Sequence, residues 1–74
     1  MKNRRGVPVY EVLEQAKKIA LTNAGGGTIR DYKLEKRMNG YVFEIDVIKN
    51  TSKYEYKIDV KTGNILSSSM KTIR

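Results

Sequence analysis

The chain contains no cysteine and no histidine among its 74 residues. The first absence excludes disulfides and thiolate metal sites as supports for the core. The second removes the commonest general base and the commonest neutral metal ligand. There is no long apolar run either: nothing approaches the roughly 18 residues that a membrane-spanning helix needs. Met1-Lys2-Asn3-Arg4-Arg5 has the charge of a signal-peptide start, but Glu11, Glu14 and Gln15 interrupt the apolar stretch that should follow. Taken literally the chain is expected in the cytoplasm; one trimmed of a signal or anchor would belong to the secreted or cell-envelope class.

The size is that of one thin-cored domain, since a chain this short buries only about 60% of the surface its unfolded form exposes. It cannot hold a deep cleft and a full core together. The formal charge is +7, from 15 basic and 8 acidic residues. Lys2, Arg4, Arg5, Lys71 and Arg74 carry five of the positive charges in the two ends, which leaves ten basic against eight acidic residues, a net of +2, over residues 6–70. A nucleic-acid reader wants a basic face on the folded domain, so no specific nucleic-acid partner is expected. The basic ends offer a different route, salt-sensitive binding to anionic polymer or membrane.

Residues 1–7 read as a basic polar tail. From Pro8, which suits a first helical turn, the residues Val9, Val12, Leu13, Ala16, Ile19, Ala20 and Asn23 recur at three- and four-residue spacing, the stripe of an amphipathic helix. Glu11 and Glu14 sit early and Lys17 and Lys18 late, which complements the helix dipole. Gly25-Gly26-Gly27 ends it. Three strands are predicted after it. The first spans 28–37, with Ile29 out of phase with Tyr32 and a bulge expected near Arg30 and Asp31. Asn39-Gly40 is a two-residue hairpin signal. The second spans 41–49, with Tyr41, Phe43, Ile45 and Val47 on one side and Val42, Glu44, Asp46 and Ile48 on the other. A looser turn over 49–52 leads to the third, 53–60, with Tyr54, Tyr56, Ile58 and Val60 inward. Ile65 and Leu66 are expected to fold back onto the core, and 67–74 to form a polar, basic tail.

The chemistry-bearing motifs have plainer readings. Gly25-Gly26-Gly27 follows a helix, whereas phosphate loops precede one, so it reads as a helix cap. Tyr41, Tyr54 and Tyr56 fall on the face the helix must cover, which makes them core rather than a base-stacking platform. Glu44, Asp46, Glu55 and Asp59 alternate with lysines on the open face, where cross-strand charge pairs explain them. Ser67-Ser68-Ser69 has no adjacent base. Hence no catalytic, cofactor-binding or metal-binding residue is assigned. The candidate partner surface is Val42, Glu44, Asp46, Ile48, Lys53, Glu55 and Lys57, in which Val42 and Ile48 would interrupt a charged face with exposed apolar side chains.

The run from Ala16 through Gly25-Gly26-Gly27 to Thr28-Ile29 resembles the PepSY signature, an alanine-bearing helix meeting glycines before the first strand. Phe43-Glu44-Ile45-Asp46-Val47 resembles that family's central strand. Asp59-Val60-Lys61-Thr62-Gly63-Asn64-Ile65-Leu66 resembles its closing motif, an Asp, a Thr-Gly turn and a short apolar end. The likeness covers residues 9–66. It departs at the helix start, where Glu11 and Val12 stand in place of a serine cap and its apolar neighbour. The resemblance implies a non-catalytic module that restrains a peptidase or regulates a cell-envelope protein by binding it.

The expected fold is therefore α+β: one N-terminal helix packed on a three-stranded antiparallel β-meander, PepSY- or cystatin-like, over residues 8–66. The expected partner is a protein, a peptidase or an envelope protein. The alternative is weak self-association through an edge strand.

Overall fold

A computed structural model describes residues 9–73, with side chains from Val12 onward. The 1–7 tail, Pro8 and Arg74 lie outside the described residues, as do the side chains of Val9 and Glu11. One helix, α1 (Val9–Ala24), precedes four strands, β1 (Thr28–Arg37), β2 (Gly40–Lys49), β3 (Ser52–Asp59) and β4 (Ile65–Thr72). They form one sheet in the order β1-β2-β3-β4, each pair antiparallel. Among the described residues no helix is long and apolar enough to cross a membrane.

The helix buries Ala16, Ala20 and Ala24, four residues apart, against the sheet. Methyl-sized side chains let its backbone approach closely, so Phe43, Ile45 and Val47 of β2 and Tyr56 and Ile58 of β3 complete the core with no exposure to speak of. Val12, Leu13, Ile19, Ile29, Tyr54, Val60 and Ile65 pack around that centre. The phenol of Tyr56 donates to Asn23 Oδ1 at 3.0 Å, which satisfies the one polar atom of a buried ring.

The helix ends in a Schellman motif. Gly26 N donates to Leu21 O at 2.9 Å and Gly25 N to Thr22 O at 3.2 Å, with Gly25 at φ 83°. Lys17 and Lys18 fall short of the last turn, which carries no basic residue of its own. Lys49 supplies the cation instead, from the end of β2: its ammonium donates to Ala24 O at 3.1 Å. Gly27 then passes so close to β2 that a Cβ there would lie 2.7 Å from Ile48 O, at a φ of 113°.

The bulge expected near Arg30 and Asp31 is present: Ile29 opposes Val47 and Asp31 opposes Asp46, leaving Arg30 unpaired. The β1–β2 hairpin turns over Met38 and Asn39, one residue earlier than the sequence suggested. Asn39 stays out of the left-handed region, and Gly40 at φ 139° begins β2 opposite Arg37. Asn50 at φ 56° makes the next turn tight, with Lys49 opposite Ser52.

The sheet has four strands, not three. Ser67-Ser68-Ser69, expected in a polar tail, are strand residues opposite Lys57, Tyr56 and Glu55. An edge strand with little helix above it needs no apolar alternation, so backbone pairing with β3 carries most of its length. Its presence moves β3 from the edge to the interior. Ile65 opposes Ile58 and packs on the core as expected, but Leu66, at an irregularity in the β3–β4 register, is 57% exposed. Tyr41 also departs from expectation. It is 47% exposed, because a 16-residue helix is about 24 Å long while the 10-residue β2 extends about 33 Å, and the hairpin end is left uncovered.

Candidate functional site

The helix covers one face of the sheet; the other carries the charged residues that alternation places there. β2 supplies Glu44, Asp46 and Ile48, and β3 supplies Lys53, Glu55 and Lys57. Their register sets Lys57 opposite Glu44, Glu55 opposite Asp46 and Lys53 opposite Ile48. β1 adds Lys33 opposite Glu44 and Glu35 opposite Val42. β4 adds Ser67, Ser69 and Lys71 opposite Lys57, Glu55 and Lys53.

Charges on this face pair along diagonals as well as rows. Lys53 Nζ bridges Asp46 Oδ2 at 3.7 Å and Glu55 Oε2 at 3.2 Å. Lys71 Nζ reaches Glu55 from the far side at 3.7 Å. Glu44 sits between Lys33 and Lys57, each 3.9 Å away. Hydrogen bonding from Lys53, helped by Lys71, holds the Glu55 carboxyl below its ordinary range. A hydrogen bond shared with Glu35 raises the Glu44 carboxyl, and the same bond, with Arg37, lowers that of Glu35. Such exposed pairs contribute little stability each; what they fix is a pattern of alternating sign. A shallow groove of about 400 Å³ runs between Glu44, Asp46 and Glu55 on one side and Ser67 and Ser69 on the other.

Of the seven candidate contact residues, six line this face half-buried: Glu44, Asp46, Ile48, Lys53, Glu55 and Lys57. Val42 does not present itself. It is on the same face but only 4% exposed, flanked across the strands by Glu35 and Asp59. On an interior strand a valine has a neighbour on each side, and the two together screen it. Ser67, Ser69 and Lys71 were missed as members of the face. The signal that could have shown them is the two-residue period of Ser67, Ser69 and Lys71 against Ser68, Met70 and Thr72.

Ser69 Oγ donates to Glu55 Oε1 at 3.5 Å, and that carboxylate is already held in ion pairs by two lysines. Among the described residues no three carboxylates converge in a way that could hold a metal. Asp59, Thr62 and Gly63 form a turn: Asp59 Oδ2 accepts from Thr62 Oγ1 at 2.6 Å and Thr62 N at 3.2 Å, and Gly63 N donates to Asp59 O at 2.8 Å. The Thr62 bonds hold the Asp59 carboxyl below its usual range. The glycines at 25–27 cap a helix C-terminus already engaged by an ammonium, which is the wrong dipole end for an anion.

Residues 13–68 match the family described as "Peptidase propeptide and YPEB domain", PepSY. The match begins at Leu13, just beyond the Glu11 and Val12 that depart from the family's helix start, and it ends inside β4. No curated protein and no solved structure matches the chain.

Proposed function

Since the chain belongs to the PepSY family of peptidase propeptide and YPEB domains, we propose that it regulates a peptidase by binding it, without catalysis of its own, through the open face of its sheet. The observation that carries this reading is the ladder of paired charges on that face, Lys33–Glu44–Lys57 and Asp46–Lys53–Glu55–Lys71, with Ile48 beside it. Inhibition would be steric: the sheet lies over the approach to the peptidase's cleft and blocks substrate. Alternating charges then set register and disfavour wrong partners, while the half-buried Ile48 supplies apolar contact.

The test is a binding and inhibition assay against peptidases encoded by the source organism, with wild type and Ile48→Lys compared. Ile48 lies outside the helix-side core but opposite Lys53, so the variant is expected to melt within about 1 kcal/mol of wild type, the cost of one like-charge cross-strand pair. Binding should weaken by about tenfold or more, because the variant places an ammonium where the complex buries an apolar side chain. Equal inhibition by both proteins would remove the open face from the mechanism. Failure to bind any of the peptidases would remove the regulatory role.

A further inference from the structure

The two edges of the sheet are built differently. β1 carries Arg30, Asp31, Lys33, Glu35, Lys36 and Arg37 within ten residues and is bulged at Arg30. Charge and a bulge are the usual devices that keep an edge from pairing with another chain. β4 is also irregular, at Leu66, but it has one charged residue, Lys71, already paired with Glu55, and its regular centre is Ser67-Ser68-Ser69. Leu66 and Met70 flank that centre, 57% and 56% exposed, which makes them two of the large apolar side chains that the fold leaves in water.

We propose that β4 is a self-complementary edge through which two copies of the chain pair antiparallel, about a two-fold axis at Ser68. In that register Ser68 faces its own copy and Ser67 faces Ser69. Leu66, where the β4 register slips, comes beside Met70 of the second copy, twice over, and the regular match ends there. No like charges are opposed, the outward backbone groups of β4 find partners, and both exposed apolar side chains are covered. Small hydroxyls at the axis let the backbones approach. An isologous two-fold contact needs this kind of self-match, in which each residue meets the mate of its own mate. The result is one continuous sheet of eight strands, with β1 at each outer edge. The contact is small compared with a standard interface of about 1,600 Å², so the dimer is weak and concentration-dependent. It needs no peptidase, so its failure and the failure of the regulatory reading are separate results.

The experiment is sedimentation of the full chain over concentration, together with single-cysteine variants, which the cysteine-free background makes clean. The mass is expected to move from monomer toward dimer between about 10 μM and 1 mM, as suits a small interface. Oxidised Ser68→Cys should form a disulfide-linked dimer, because facing residues of an antiparallel pair lie about 4.5–5.5 Å apart at Cα, within disulfide reach. Lys36→Cys on β1 should stay uncoupled under the same conditions. Met70→Lys should weaken association by about tenfold, since it disrupts both cross-strand apolar pairs, with an unchanged far-ultraviolet circular dichroism spectrum. A monomer at every concentration overturns the proposal. So does a dimer indifferent to Met70→Lys, or cross-linking at Lys36→Cys equal to that at Ser68→Cys.

Discussion

At the scale of single residues, two side chains hold polar contacts that the sequence alone leaves unassigned. Tyr56 is buried, and burial raises its phenol above the ordinary range. It therefore stays a neutral donor, and its bond to Asn23 ties β3 to the helix. Tyr56→Phe is expected to destabilise by about 1 kcal/mol, the net worth of one such bond, measured by urea unfolding; a change below about 0.3 kcal/mol would show that the bond contributes nothing in water. Asp59 acts through its charge. Its folded pKa lies below the unfolded value, so its stabilisation is complete above the unfolded pKa of about 3.9 and is lost as pH falls through the folded value. Glu35 and Glu55 run in the same direction and Glu44 in the opposite one, so the total pH profile is mixed. The difference between wild type and Asp59→Asn isolates the turn. Asp59→Asn should melt lower at pH 7, and the two curves should approach each other as pH falls below about 3.9 and through the lowered folded value. A gap that stays constant from about pH 7 to about pH 2 would mean that the carboxylate charge is irrelevant to the turn.

At the scale of elements, most of the architecture was legible and one strand was not. The helix stripe, its glycine stop, the β1 bulge and the inward alternation of β2 and β3 each follow from a period or a breaker, and each is where the pattern puts it. β4 left only a polar two-residue period and no apolar face. Its residues after Leu66 are serine, methionine, lysine and threonine, and its place comes from pairing with β3 rather than from an apolar face of its own. Ending the chain after Asn64 tests how much the strand contributes. It removes Ile65 from above Ile58 and turns β3 into an exposed edge. With total stabilities of about 5–15 kcal/mol for whole domains, a core this thin should lose cooperative melting altogether. A sharp transition within a few degrees of the full chain would show that β4 is an ornament on a three-stranded fold.

For the whole molecule, the charge is divided between a balanced open face and basic ends. Seven ion pairs are formed among the described residues, and six of them lie on the open face between strands or along them. A partner docked there meets alternating signs at short range, whereas a polyanion held by the ends meets only positive charge. The proposed peptidase complex is therefore expected to weaken by less than about tenfold between about 0.05 and 0.5 M salt, because closely apposed pairs are screened less than distant ones. A loss of about a hundredfold or more, measured by calorimetric titration, would assign the affinity to long-range attraction by the ends.

The sequence by itself determined the class of fold, the helix and its stop, three strands, most of the inward faces of the second and third, and the family. All of these are written in local period, in turn chemistry or in the order of short motifs. Only the tertiary structure decided the fourth strand, the burial of Val42, the exposure of Tyr41 and the cation at the helix end. The physical reason is the same in each case. β4 exists because β3 had an open edge, and Val42 is covered because its strand is flanked on both sides, by Glu35 and Asp59. Tyr41 is uncovered because the helix is shorter than the strand beneath it, and Lys49 caps the helix because β2 ends beside Ala24. Each depends on what comes to lie next to the residue in space.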